Sequence, residues 1–199
     1  MNTNPTLNYE YEQRAMLNEE QYLALMKFFS QDEFKKQSLI NSNYYFDTST
    51  YFFNRKGILF RLRIIEKNGV FDCEFTIKES KNDSNVEHNY LLNLQMAKAI
   101  QKEVKRIEPF IKPFLEKHDQ SIDQILLVGK LKSQRLEINC QDYLVVLDKN
   151  YYGNIEDYNI EVEAKNKKDA EHFLQQILKK FNIEYQKDYK SKSARAIGL

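Results

Sequence analysis

Residues 58–79 read ILFRLRIIEKNGVFDCEFTIKE, and their alternation decides the fold. Successive side chains of a strand point to opposite sides. An extended run over 58–67 therefore puts Arg61 and Arg63 on one face and Phe60, Leu62 and Ile64 on the other. Asn68-Gly69 follows at once, the pair that best tolerates the positive φ of a tight hairpin turn. Residues 70–79 return as the second arm, with Asp72, Glu74, Thr76 and Lys78 opposite Phe71, Cys73, Phe75 and Ile77. The stretch is an antiparallel hairpin with one charged and one apolar face.

Working outward, residues 7–17 alternate as a strand, and Asn18 with Gln21 offers a helix N-cap and its capping box. From Glu19 to about Phe34 the apolar spacing of Tyr22, Leu25, Met26 and Phe29 is helical. Residues 39–47 read as a strand rich in Tyr and Phe, followed by an Asp47-Thr48-Ser49-Thr50 turn. The polar segment 80–88 reads as a loop. Residues 89–118 read as helical, with Pro109 and Pro113 near helix starts. Strands follow at about 124–138, 142–151 and 155–164, the last two joined by Tyr152-Gly153-Asn154. Residues 167–180 form an amphipathic helix with Ala170, Phe173, Leu174, Ile177 and Leu178 on one face. The basic tail, 187–199, is either a frayed end or part of a wall. This order predicts an α+β protein in which a closed antiparallel sheet carries helices outside. One domain over 1–199 is expected, with a helical insertion at about 89–118.

The composition agrees. The 199 residues are 42% hydrophobic and 30% charged, which suits a folded domain, and 13 Tyr and 13 Phe lean it toward β structure. A formal net charge of +1 argues against a general nucleic-acid or membrane binder. Any strong anion site must therefore be a local arrangement of charge. Cys73 lies on an apolar strand face and Cys140 far from it in sequence, without CxxC or Cys/His spacing, which reads as free thiols in a reducing compartment. No apolar run has signal or transmembrane length, so a cytoplasmic location is expected. His88, His118 and His172 are scattered and read as surface residues, Phe28-Phe29 and Tyr51-Phe52-Phe53 as core, and Lys165 to Lys168 as a solvated helix start.

The charges are sorted by strand. The first strand puts Glu10, Glu12 and Arg14 on one face, and the last puts Asp157, Asn159, Glu161 and Glu163 on one face. The paired arginines lie on a middle strand. A face that is merely solvated mixes its signs. If the first and last strands are neighbours, two Glu-x-Glu pairs face each other. Clustered carboxylates repel and need a cation, and hard oxygen ligands suit Mg²⁺ or Mn²⁺. Arg61 and Arg63 can both fork to phosphate oxygens. Metal and arginines around one cavity make the arrangement that phosphoryl transfer requires.

These residues resemble the CYTH family, the triphosphate tunnel metalloenzymes, over Tyr9 to Arg195, and are most similar to the subgroup of low-GC Gram-positive bacteria. Glu10-Tyr11-Glu12-Gln13-Arg14 resembles the Glu-x-Glu-x-Lys signature. Tyr44-Tyr45-Phe46-Asp47-Thr48 resembles the "YFDT" segment, and Lys56 to Arg63 the run carrying Arg-x-Arg. Phe75 to Lys78, Leu131 to Arg135, Leu147-Asp148, Asp157 to Glu163 and Lys190 to Arg195 resemble the later strands and the basic C-terminal segment.

The resemblance implies a closed eight-stranded antiparallel barrel, or tunnel, that hydrolyses a triphosphate with Mg²⁺ or Mn²⁺. Inorganic, thiamine and nucleoside triphosphates are the candidate substrates. It implies Glu10, Glu12, Glu161 and Glu163 as metal ligands. Arg14, Arg61, Arg63, Lys78, Arg135, Lys192 and Arg195 would bind phosphate, with Glu10, Glu12 and Lys78 catalytic and Asp148 lining the tunnel without an assigned role. The expected partner is a small-molecule triphosphate, with no nucleic acid or membrane, in a monomer or homodimer. Two departures stand out. Arg14 replaces the signature lysine, and Asn159 stands where relatives often carry glutamate. A polyphosphate- or nucleotide-binding module without turnover and a CYTH-type adenylate cyclase are the alternatives.

Overall fold

The computed structural model describes residues 5–81, 84–187 and 190–198, and the side chains at 7–10, 81, 84 and 85 lie outside that description. Its strands are β1 (Thr6–Leu17), β2 (Lys35–Thr48), β3 (Ile58–Lys67), β4 (Val70–Lys81), β5 (Ser84–Leu92), β6 (Ile125–Cys140), β7 (Tyr143–Tyr152) and β8 (Ile155–Ala164). They form one antiparallel sheet in the order β1-β5-β4-β3-β2-β6-β7-β8, and β1 also pairs with β8. β1 serves two neighbours with its two halves: Thr6–Glu10 pair with β5, and Tyr11–Leu17 with β8.

The β3–β4 hairpin forms as its sequence dictates. Lys67 pairs with Val70 across Asn68 (φ 51°) and Gly69 (φ 78°). Both turn residues take the left-handed conformation that matches the twist of the strands.

Outside the sheet lie α1 (Glu19–Phe29), α2 (Phe52–Arg55), α3 (Leu94–Lys102), α4 (Glu108–Lys117), α5 (Lys167–Lys180) and α6 (Lys192–Ile197). α1 starts with the expected capping box: Gln21 N donates to Asn18 Oδ1 at 2.8 Å and Asn18 N to Gln21 Oε1 at 2.9 Å. It ends at Phe29, short of the expected Phe34. Ser30 Oγ donates to the Lys27 carbonyl, Lys36 Nζ takes the Ser30 and Gln31 carbonyls, and Phe34 folds back onto Phe28 and Phe29. The helix end is thus satisfied without another turn.

Two apolar layers flank the sheet. Leu25 and Phe29 of α1 and Ala170, Leu174, Ile177 and Leu178 of α5 pack on Ala15, Ile138, Leu147, Ile160 and Val162. On the other flank, Ala97, Ile100, Ile107, Ile111 and Leu115 cover Phe60, Leu62, Phe75 and Ile77. Burying one such large side chain contributes roughly 1.5–3 kcal/mol, so the segment 94–117 is held firmly to β3 and β4. Cys73 is buried in this layer, and both cysteines are free. Among the described residues no helix is long and apolar enough to cross a membrane.

Three expectations are corrected here. Residues 84–92 are a strand, not the end of a loop and the start of a helix. The helix begins at Leu94, where Asn93 Oδ1 caps Met96 N at 2.8 Å. His88 consequently lies in a strand, 3.2 Å from Glu79. Pro113 sits inside α4 instead of at a helix start. Its ring removes one backbone hydrogen bond, a loss that water can make good because Pro109 and Pro113 are both exposed.

Candidate functional site

The polar faces of the strands line one side of the sheet. The register brings Arg61 beside Thr76 and Tyr45, Arg63 beside Glu74 and Asn43, and Lys78 beside Glu87. Between them opens a cavity of about 300 Å³. Among the described residues, Arg14, Arg61, Arg63, Lys78, Arg135 and Lys192 line it, with the carboxylates Glu12, Glu87, Glu161 and Glu163. Tyr45, Asn54, Gly57, Ile58, Leu59, Ser80, Ser191 and Ser193 complete the wall. Basic groups outnumber acids, so the cavity holds the local positive charge that a net charge of +1 conceals.

The cations are held by acids behind them. Arg61 Nη2 lies 3.4 Å from Glu74 and donates to Thr76 Oγ1 at 3.2 Å. Arg63 Nε donates to Asn43 Oδ1 at 2.9 Å, and its Nη1 lies 3.5 Å from the same Glu74. Lys78 Nζ meets Glu87 at 2.9 Å. Arg135 grips Asp148 with two 2.9 Å hydrogen bonds and reaches Glu161 at 3.1 Å. Lys192, from the first turn of α6, donates to Asp148 and, at 2.9 Å, to Glu161. Burial pushes the Glu161 carboxyl up, but Lys192, Arg135 and Arg14 outweigh it and hold it far below the usual carboxylate range. Burial likewise acts against the Arg135 charge, and Asp148 and Glu161 reverse that and raise it above its ordinary value. Arg61 Nε is buried with no hydrogen-bond partner among the described residues, a donor left over for a ligand.

Local structure builds the rim. Asp47 is buried, and its Oδ1 accepts from Thr48 N at 2.7 Å and Phe53 N at 3.0 Å while Oδ2 accepts from Asn54 N at 2.8 Å. One carboxylate thus fixes α2 and the Asn54–Ile58 edge. On another edge α6 seats against Gly129, where a Cβ would lie 2.7 Å from Ile197 Cγ2 and 2.8 Å from the Ala196 carbonyl. Residues 191–193 of the basic tail are therefore part of the wall.

The acids are arranged differently from the expected face-to-face Glu-x-Glu pairs. Glu12 stands opposite Glu163, but Glu161 stands opposite Arg14. The antiparallel register offsets the two motifs: Tyr11 meets Ala164, the last residue of β8, and the Glu10 backbone pairs instead with Asn85 of β5. The Glu10 side chain lies outside the described residues. Among the described residues no three His, Cys, Asp or Glu side chains gather as a metal cluster.

Two other expected members sit apart from the cavity surface. Asp148 is fully buried behind it and ties Arg135 to Lys192. Arg195 lies 3.2 Å from Asp157 and donates to Met16 Sδ at 2.9 Å. Sequence reasoning missed Glu87, because its strand is as polar as a loop. The alternation of Val86, His88, Tyr90 and Leu92 was the available signal.

An antiparallel sheet whose polar face lines a cavity rich in arginine and lysine, with carboxylates among them, defines the class of architecture. The CYTH domain family model matches residues 8–197, and the chain belongs to the CYTH family. A Bacillus subtilis (strain 168) protein, YjbK, named as a candidate triphosphatase, is 28% identical over 192 residues, covering 94% of this chain and 93% of its own. A Bacillus halodurans crystal structure, described as a candidate adenylate cyclase, is 27% identical with a TM-score of 0.78, covering 95% of this chain and 97% of that one. A Hippeastrum protein, described as a candidate adenylyl cyclase with a dominant triphosphatase activity, shares the fold at 17% identity. Its TM-score is 0.77 over 94% of this chain and 93% of that one.

Proposed function

We propose that this chain hydrolyses a triphosphate, inorganic triphosphate before nucleoside or thiamine triphosphates, in a divalent-metal-dependent reaction inside its charged cavity. The observation that carries this is the convergence of Arg14, Arg61, Arg63, Lys78, Arg135 and Lys192, from four strands and α6, on one cavity. A triphosphatase name on a B. subtilis relative of nearly the same length supports the reading. The ring of strand pairings supports reading the sheet as a closed tunnel within one domain.

The donor set fits a hard divalent cation. Glu12 and Glu163 oppose each other directly, and like charges in that position destabilise a sheet until something neutralises them. The sequence alternation groups Glu10 with Glu12. Glu161, already engaged by Arg135 and Lys192, would join the set by giving up those partners. When bound, the cation would neutralise phosphoryl oxygens as charge moves to the leaving group. Arg61 and Arg63 fork to phosphate oxygens and hold the chain in line. Lys78, positioned by Glu87, donates to a phosphoryl oxygen, and Arg14, Arg135 and Lys192 fix the remaining phosphates. Arg195 contributes by packing at Asp157 unless it swings inward.

Phosphate release from inorganic triphosphate, ATP and thiamine triphosphate, each with Mg²⁺, Mn²⁺ or EDTA, tests the reading. Metal-dependent release, fastest on inorganic triphosphate, is expected. No release from any of the three, with a triphosphate-induced rise in melting temperature, would leave a binding module.

A further inference from the structure

Tyr45 is the tyrosine that lines the cavity among the described residues, whereas several others spend their hydroxyls elsewhere. Tyr51 donates to the Ile197 carbonyl, Tyr151 to Gln134, Tyr152 to Asp157 and Tyr158 to Glu156. Tyr45 is only 3% exposed and lines the cavity, yet its hydroxyl makes no hydrogen bond among the described residues. The ring is buried but the hydroxyl oxygen is not among the buried unpartnered atoms, so it opens onto the cavity, where a phenol takes a partner. The groups around this one cannot serve as that partner. Arg61 stands directly across the β2–β3 ladder, with Arg63 and Arg195 nearby, and guanidinium groups donate without accepting. The nearby acceptor, Glu161, is already bonded to Arg135 and Lys192. The ring packs in one apolar cluster with Leu131 and Ile197.

We propose that Tyr45 is a substrate-binding residue whose hydroxyl donates a hydrogen bond to an oxygen of the bound triphosphate, a reading that rests on the proposed function. The missing acceptor is an anionic oxygen, the one partner that a wall of arginines both lacks and attracts. Burial raises the phenol above its ordinary value despite the pull of Arg61, Arg63 and Arg195, so it keeps the proton it must donate.

Titration calorimetry of the full chain with inorganic triphosphate, with Mg²⁺ and separately with EDTA, compares wild type with Tyr45→Phe. Phenylalanine keeps the packing on Leu131 and Ile197 and removes only the hydroxyl. A hydrogen bond to a charged acceptor predicts that the dissociation constant rises at least about tenfold, with the melting temperature of the ligand-free protein unchanged. In wild type labelled at the tyrosine ζ carbon, the resonance missing from Tyr45→Phe should shift when triphosphate is added. That second readout decides the matter should the variant fold poorly. A dissociation constant within about twofold of wild type, or a resonance that does not move on saturation, overturns the assignment and leaves the triphosphate site standing. Wild type that binds no triphosphate overturns both.

Discussion

Glu12 and Glu163 stand directly opposite each other across the β1–β8 ladder. Two carboxylates so placed repel by roughly 0.2–1 kcal/mol, offset in part by Arg14, whose Nη1 lies 3.9 Å from Glu12. Glu12→Gln should therefore leave the metal-free protein as stable as wild type or slightly more stable. The same change should lower phosphate release in Mg²⁺ by about a hundredfold, the order expected when charge stabilisation at the reacting group is lost. Thermal melts in EDTA and a phosphate-release assay make the comparison. A clear loss of stability, or full activity, contradicts it.

Glu87 ties stability to pH. Burial pushes its carboxyl up, but Arg61 and Lys78 outweigh that and hold it below its ordinary value. A depressed folded value means that the carboxylate stabilises the protein above the unfolded value near 4.5, and that this is lost as pH falls through the folded value. Glu87→Gln should cost about 1–3 kcal/mol at neutral pH, less than for a fully buried pair because Lys78 keeps some water. The gap to wild type should close on acidification. Urea unfolding across a pH series reads it, and a gap that widens toward acid runs against the argument.

Gly129 is the seat of α6. Gly129→Ala places a methyl within 2.8 Å of Ile197 and the Ala196 carbonyl, an overpacking that costs typically 1–3 kcal/mol. Lifting α6 removes Lys192 from Asp148 and Glu161. Limited proteolysis should cut the C-terminal segment faster in the variant, and triphosphate should bind more weakly, while the sheet stays folded. Unchanged proteolysis and affinity would mean that α6 tolerates the methyl.

Asp47 fixes the rim with one carboxylate serving three backbone donors. Asp47→Ala strands those buried N–H groups and should destabilise by about 1–3 kcal/mol or somewhat more. Asp47→Asn should recover only part of this, since its amide nitrogen would confront the Asn54 N–H. Equilibrium unfolding of both variants checks the order, and an asparagine variant as stable as wild type refutes the role.

The hairpin 58–79, the α1 capping box and α5 could be read from sequence because each carries its own local signal: a turn pair, a cap, a 3.6-residue stripe. The inward arginines were legible for the same reason, since alternation alone assigns their face. β5 was not, because a strand with Glu87 and Asn89 on its inner side shows neither an apolar run nor a helical stripe. The meeting of Glu12 with Glu163 rather than Glu161 was beyond reach too. A two-residue shift in register preserves every face, and only the completed pairing sets it. The role of α6 depended on a contact between Gly129 and Ile197, far apart in sequence and silent in composition.

The two-sided pairing of β1 has a consequence for the order of synthesis. Its Tyr11–Leu17 half waits for β8, the last strand to be made, and such distant contacts form slowly. Until then a growing chain holds Arg61, Arg63 and Lys78 without the carboxylates that oppose β1. An incomplete chain thus presents the cationic wall of β3 and β4 before the β1–β8 wall of the cavity exists.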